Sequence, residues 1–192
     1  DLNRLKEPQM PDAWEFVAES IRQVKKSLGS EKALLGFAGA PFTLAAYMTP
    51  SRGKDRQQEL RKLALGDPAF YTELMERLTR CVVEYLKLQI SAGADAVQLF
   101  DTWAGAWSPA DYNRFILPWQ KKIFSALKPE KVPMILYVND CAGVWKNMAQ
   151  SGADVLSLDW RVDLGAVRRY MGESTALQGN LDPLLLFAPE KE

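Results

Sequence analysis

Four polar clusters each follow a short apolar run: Asp101-Thr102-Trp103, Asn139-Asp140, Asp159-Trp160 and Asn180-Leu181-Asp182. A fifth candidate is the glycine-rich stretch Gly36-Phe37-Ala38-Gly39-Ala40-Pro41, with Tyr47 a few residues on. Carboxylates, amides and hydroxyls at such places can orient a polar ligand, and a glycine-rich backbone can let one approach closely. The chain contains no histidine. Ser-His-Asp and Cys-His catalysis, histidine-ligated zinc and an imidazole base supplied by this chain are therefore excluded.

Each candidate also has a plainer reading. The glycine-rich stretch resembles no dinucleotide fingerprint, and no lysine follows it as in a P-loop, so alone it reads as a tight turn. Tyr47 alone reads as a core side chain. Asp101 and Thr102 could cap the next turn, and Trp160 reads as a packing residue. Cys141 has no histidine and no second cysteine nearby, and reads as a buried, inert thiol. The run Lys54-Asp55-Arg56 reads as a solvated loop.

The elements that must position these residues alternate regularly. Asp12 and Glu15 have capping-box spacing, and Trp14, Val17, Ile21, Val24 and Leu28 follow at helical intervals. A strand buried on both faces is predicted over Ala33 to Phe37, broken by Gly39, Ala40 and Pro41. A short helix opens at Pro41 and runs to Met48. A polar, mobile loop is predicted over Ser51 to Asp55, then a charged helix to Leu65. Asp67-Pro68 starts a long helix that Gly93 closes, followed by a strand over Ala94 to Phe100. Ser108-Pro109 with Asp111 caps the next helix, and Pro118 inside its pattern predicts a kink or break. Three further strands are predicted over Met134 to Val138, Val155 to Leu158 and Thr175 to Gln178. Alternating apolar strands and amphipathic helices imply a parallel sheet with helical crossovers.

A local repeat supports that reading. Ala92-Gly93-Ala94-Asp95 opens one strand segment and Ser151-Gly152-Ala153-Asp154 opens another, and each strand ends near an aspartate, Asp101 or Asp159. In a β/α barrel the polar strand exits converge on one site. Five strands are too few to close eight, and the two ends of the chain, Asp1 and Glu192, read as cut.

Composition sets the remaining bounds. The 192 residues are 47% hydrophobic and 25% charged, as expected for one globular domain over 1–192. Twenty-four basic side chains balance 24 acidic ones, so no net field favours nucleic acid. No apolar run reaches a membrane span, and two cysteines are too few for a disulfide framework, so a cytoplasmic setting is expected.

Four segments together carry a family resemblance. Leu35-Gly36-Phe37-Ala38-Gly39-Ala40-Pro41-Phe42-Thr43-Leu44-Ala45-Ala46-Tyr47-Met48 is similar to the glycine-rich segment of the uroporphyrinogen decarboxylase family. So are Gln98-Leu99-Phe100-Asp101-Thr102-Trp103-Ala104-Gly105, Leu158-Asp159-Trp160 and Leu177-Gln178-Gly179-Asn180-Leu181-Asp182-Pro183, in the family's order. The resemblance implies an α/β fold, here an incomplete TIM (β/α)₈ barrel of about five parallel strands. It implies a carboxy-lyase that converts the four acetate side chains of uroporphyrinogen to the methyl groups of coproporphyrinogen in tetrapyrrole (haem) synthesis. No metal or other cofactor is implied, and the family typically acts as a homodimer.

By the same resemblance Tyr47 and Thr102 contact substrate, with Phe100 and Asp101 beside them on the pocket wall. The family's arginine-rich motif and pyrrole-binding aspartate are expected before Asp1, and its histidine after Glu192. The chain alone is therefore expected to be inactive. Asn139-Asp140-Cys141-Ala142 departs from the lysine and glycine that members often carry there. The loop after Tyr47, Thr49-Pro50-Ser51-Arg52, is poorer in glycine than usual. Arg52 and Lys54 read as solvent-facing residues that could add positive potential at the rim. Two rivals share the barrel: a corrinoid-dependent methyltransferase, which binds zinc through histidine and cysteine, and a noncatalytic barrel-derived domain.

Overall fold

A computed structural model describes residues 12–50, 55–173 and 175–189. Five strands pair side by side in chain order: β1 (Leu35–Gly39), β2 (Ala96–Phe100), β3 (Met134–Tyr137), β4 (Val155–Ser157) and β5 (Ala176–Gln178). Every pairing is parallel. Helix α1 (Glu15–Leu28) precedes the sheet. The crossovers are α2 (Pro41–Met48), α3 (Asp55–Gly66) and α4 (Pro68–Ser91), then α5 (Pro109–Phe115) and α6 (Leu117–Leu127), then α7 (Trp145–Met148), then α8 (Leu164–Met171). The α/β class and the five-stranded parallel sheet are as the sequence predicts.

Local chemistry sets the boundaries. Asp67 accepts a hydrogen bond from Phe70 N and Pro68 takes the first turn, which starts α4. Ser108 accepts from Asp111 N to start α5. Pro118 cannot donate to the ladder, and the predicted break falls at Ile116, between α5 and α6. The Tyr71 hydroxyl donates to Phe115 O at 2.8 Å, satisfying a carbonyl at that break. Gly93 and Gly152, which end the helical segments before β2 and β4, have φ of +115° and +93°, the left-handed geometry expected from the repeat.

The repeat has a second meaning at the entry end of the sheet. Asp95 Oδ2 accepts from Leu34 N beside β1, and Asp154 Oδ2 accepts from Met134 N of β3. Each aspartate thus ties the start of its own strand to the start of the neighbouring one. Lys25 pairs with Asp95, which also pins α1.

Alternation assigns the two faces. Val97, Leu99, Leu136 and Leu156 point to the helices and are buried there. The opposite, inner face carries Phe37, Gln98, Phe100, Tyr137, Ser157 and Gln178, by register. Gln178 Nε2 donates to Gln98 Oε1 at 3.2 Å and to Ser157 Oγ at 2.9 Å. In a flat sheet β2 and β5 would lie about 14 Å apart with parallel side chains. Their direct bond shows a sheet curled towards its inner face, an arc of a barrel.

Several expectations change. The cap position of α1 is Trp14, after a short 3₁₀ turn over Asp12–Trp14, so the α-helix proper begins two residues later than a cap at Asp12 predicts. Strand β1 runs two residues later than predicted, because Ala40 N still bonds Phe100 O at 2.8 Å. It is also buried on one face only: Phe37 is 62% exposed on the inner side. Helix α3 begins at Asp55, so Asp55 and Arg56 are helical and not loop residues. The predicted loop at 51–54, with Arg52 and Lys54, lies outside the described residues.

Candidate active site

The strand exits gather as a parallel barrel requires, and two of them are joined by a close backbone approach. A Cβ at Gly105 would lie 2.1 Å from Asn139 O. Only glycine lets the segment after β2 sit against the β3 exit. At the β5 exit a Cβ at Gly179, where φ is +118°, would lie 2.3 Å from Leu158 O. Asn180 Nδ2 then donates to Asp159 O at 2.9 Å and to Val162 O. The Asn180 segment therefore supports the β4 exit from beside it.

Tyr47 is not a core residue. It stands at the end of α2, half exposed, with its ring edge-on to Trp103 at 6.5 Å and the Arg56 guanidinium over its face at 5.5 Å. Thr102 is next to Trp103 on a small cavity of about 170 Å³ that Gln57, Asn139, Asp140 and Arg161 also line. Among the described residues the Thr102 hydroxyl makes no capping bond, and the turn over Ala104–Ala106 has Trp103 at its cap position. Phe100 lies on the inner face between Phe37 and Tyr137, at ring separations of 5.8 and 5.5 Å. The three rings form an apolar wall below the exits.

Asp101 occupies a different place from the pocket wall expected of it. It shares the side of β2 that carries Val97 and Leu99, and it is 1% exposed behind the sheet. Thr43 Oγ1 donates to Oδ1 at 3.0 Å and Gln120 Nε2 donates to Oδ2 at 2.9 Å. The Tyr112 hydroxyl donates in turn to Gln120 Oε1. All these partners are neutral, so burial dominates and pushes the carboxyl pKa up to about 6. Thr43 also accepts from Trp103 N at 3.4 Å. Asp101 thus ties α2, which carries Tyr47, to the turn that carries Thr102.

Asp159 organises the β4 exit. Its carboxylate is buried and accepts from the backbone N–H groups of Asp140, Cys141 and Arg161. Arg161 Nη1 also donates to it at 3.1 Å. The Arg161 guanidinium lies 3.9 Å over the Trp160 ring. Trp160 is accordingly a partly exposed platform for a cation, not a core packing residue. Cys141 is buried as expected, and burial pushes its thiol up to about 11. Such a thiol is a poor nucleophile at neutral pH.

The uroporphyrinogen decarboxylase family model matches residues 1–192. The chain belongs to the uroporphyrinogen decarboxylase family. It is 42% identical over 191 residues to a uroporphyrinogen decarboxylase of Geobacter sp. (strain M21), covering 100% of this chain and 56% of that protein. A uroporphyrinogen decarboxylase of Geotalea daltonii is 41% identical, covering 98% of this chain and 56% of its own length. The chain therefore spans little more than half of these relatives. A solved methyltransferase from Methanosarcina mazei is similar in fold, with a TM-score of 0.80 at 19% identity, over 94% of this chain and 53% of that one.

Within this family frame, the structure brings Tyr47, Thr102 and Phe100 to the exit end and inner face, and puts Asp101 behind them. The residue that sequence reading missed is Arg161, directly after the Leu158-Asp159-Trp160 motif. A basic residue two positions beyond an exit aspartate was the available signal. The chemical capacity of the region is clear: a hydroxyl, amides and one guanidinium above an aromatic wall suit a ligand with flat apolar rings and carboxylate arms.

Proposed function

We propose that this chain forms the central part of a tetrapyrrole carboxy-lyase that decarboxylates the four acetate arms of uroporphyrinogen to give coproporphyrinogen. The observation that carries the reading is the family match over the whole chain; Tyr47, at the end of α2, and Thr102, after β2, are compatible with it because both lie beside Trp103. Protonation of the pyrrole carbon next to an acetate makes the ring an electron sink. The bond to the carboxylate then breaks and CO₂ leaves; the exocyclic CH₂ takes a proton to become the methyl group and the ring carbon gives up the proton it took, so each CO₂ released consumes one proton. The substrate itself provides the role that a cofactor plays elsewhere.

This chain's residues would bind and orient. Tyr47 and Thr102 hydroxyls would hold the reacting acetate out of line with solvent. The Phe37, Phe100 and Tyr137 rings would pack against a pyrrole and lower the polarity around the departing carboxylate. Asp101 would hold the two hydroxyl-bearing elements from behind. The same reading includes a homodimer in the cytoplasm; among the described residues no helix is long and apolar enough to cross a membrane. The methyltransferase rival pairs a cysteine with a histidine after β3, and the exit here, Tyr137-Val138-Asn139-Asp140-Cys141, holds a cysteine and no histidine. Among the described residues no three histidine, cysteine or acidic side chains gather as a metal site.

The test joins these 192 residues to the remaining segments of the Geobacter relative and follows uroporphyrinogen by counting carboxyls on the oxidised products. We expect four-carboxyl product from the joined chain and negligible turnover by the 192 residues alone. Tyr47→Phe and Thr102→Val should each lower turnover about ten- to a hundred-fold, the loss of one hydrogen bond to a charged group. Partly decarboxylated products should accumulate. No consumption by a folded joined chain overturns the activity, and full turnover in both variants overturns the assignment of the hydroxyls.

A further inference from the structure

We propose that Arg161 is the anchor of a carboxylate subsite at the β3 and β4 exits, and that Asp140 is a placeholder which an incoming carboxylate arm displaces. The inference rests on the tetrapyrrole reading above and assigns one of its polar arms to a specific place.

The guanidinium is held on two sides. Asp159 accepts from Nη1 at 3.1 Å and the Trp160 ring supports its face at 3.9 Å. Its remaining edge, Nε and Nη2, makes no hydrogen bond among the described residues. Asp140 Oδ1 lies 3.6 Å from Nε, an ion pair beyond hydrogen-bond length. The Asp140 side chain is 62% exposed and that of Arg161 40%. Such a surface pair contributes little, so exchanging it for a better-aligned carboxylate costs little. A guanidinium edge offers two parallel donors, the geometry that a ligand carboxylate accepts best.

The cavity that Arg161 helps to line has the right scale. At about 170 Å³ it is smaller than the cavities that take drug-sized ligands, a scale for one short carboxylate arm and not for a four-ring ligand. Thr102 and Asn139 line it as neutral hydrogen-bonding groups. The rings would then remain outside, towards the exposed Phe37 and its aromatic neighbours. Asp140 sits at φ +58° and ψ +43°, a left-handed conformation that asparagine adopts as well as aspartate does. Replacing its charge by an amide leaves the backbone undisturbed, which makes the placeholder separately testable.

The experiment is calorimetric titration of the joined chain described above with two probes. One is a monopyrrole bearing one acetate and one propionate, and the other is uroporphyrin; dimethyl-esterified monopyrrole is the control. We expect the diacid monopyrrole to bind at least ten-fold more tightly than its ester. Arg161→Gln should weaken it about ten-fold or more, and Arg161→Lys should weaken it less, keeping the charge and losing the fork. Asp140→Asn should tighten binding about three- to ten-fold. That opposite sign cannot arise from general loss of folding. Absence of binding to the wild-type chain, equal affinity in Arg161→Gln, or weaker binding in Asp140→Asn overturns the proposal. Arg161-dependent binding of the monopyrrole without uroporphyrin binding upholds the subsite and counts against the tetrapyrrole reading. Uroporphyrin binding that ignores both positions upholds that reading and overturns the subsite.

Discussion

The β2 and β4 exits begin from the same sequence repeat and end in opposite electrostatic designs. Asp101 stands six positions after Asp95, whereas Asp159 stands five positions after Asp154. In a strand, a shift of one residue moves a side chain to the other face. The extra residue is Phe100, which takes the inner-face position and leaves Asp101 on the helix side. Asp159 keeps the parity of Val155 and Ser157 and meets Arg161 at the exit. One carboxyl is held by neutral groups and has its pKa raised to about 6. The other is held by a cation and three backbone N–H groups. A repeated aspartate therefore does structural work behind the sheet in one copy and organises a cation in the other.

Removing the charged hub should have the largest effect. Asp159→Ala leaves the N–H groups of Asp140, Cys141 and Arg161 without their acceptor. Stranding such donors should destabilise the chain by about 2–4 kcal/mol. Arg161 should also lose its fixed position. Urea unfolding measures the first effect, and solvent protection of the Asp140 and Cys141 amides measures the second. A loss below about 1 kcal/mol would mean that Asp159 is not the hub.

The carboxyl held by neutral groups gives the next effect, and its sign is distinctive. Because the folded-state pKa of Asp101 is raised from 3.8 to about 6, the folded chain binds the proton more tightly than the unfolded one. Its contribution to stability is fully present below about pH 4 and is lost as pH rises towards 6. Two pKa units correspond to about 2–3 kcal/mol. Asp101→Asn cannot ionise, so its stability relative to wild type should improve by about that amount between pH 4 and pH 7. Paired urea titrations at both pH values provide the check. A pH-independent difference would show that Asp101 is ionised in the folded chain throughout.

Much of this architecture is legible in the sequence. Alternating apolar runs and helical stripes mark all five strands, Pro118 marks the α5–α6 break, and Gly93 and Gly152 mark left-handed turns. These features rest on local chemistry. The side of the sheet that Asp101 faces rests on counting parity from Val97 and Leu99 through the end of a strand. That count was available, but an exit aspartate is easily read as a pocket residue without it. Arg161 was only half visible. Its neighbours Asp159 and Trp160 stand in the sequence as a signal, but the approach of Asp140 from the β3 exit is tertiary and has no local mark.

Two threonines separate support from contact and give the smallest stability effects. Thr43 is buried, donates to Asp101 and accepts from Trp103 N, so Thr43→Val breaks both links and should cost about 1–2 kcal/mol. Thr102 precedes Trp103 in the chain, yet its hydroxyl bonds no protein group among the described residues, and the residue lines the cavity. Thr102→Val keeps the branched shape, and the unfolding midpoint should move by no more than about 0.5 kcal/mol. Tyr47→Phe should be equally mild, because the ring keeps its edge contact with Trp103. The two threonine variants thus reverse order between assays: Thr43→Val acts mainly on unfolding, and Thr102→Val mainly on turnover of the joined chain. If Thr102→Val instead unfolds as readily as Thr43→Val while turnover stays normal, the exit hydroxyl belongs to the scaffold, and the distinction between the front and back of β2 fails at the residue where it matters most.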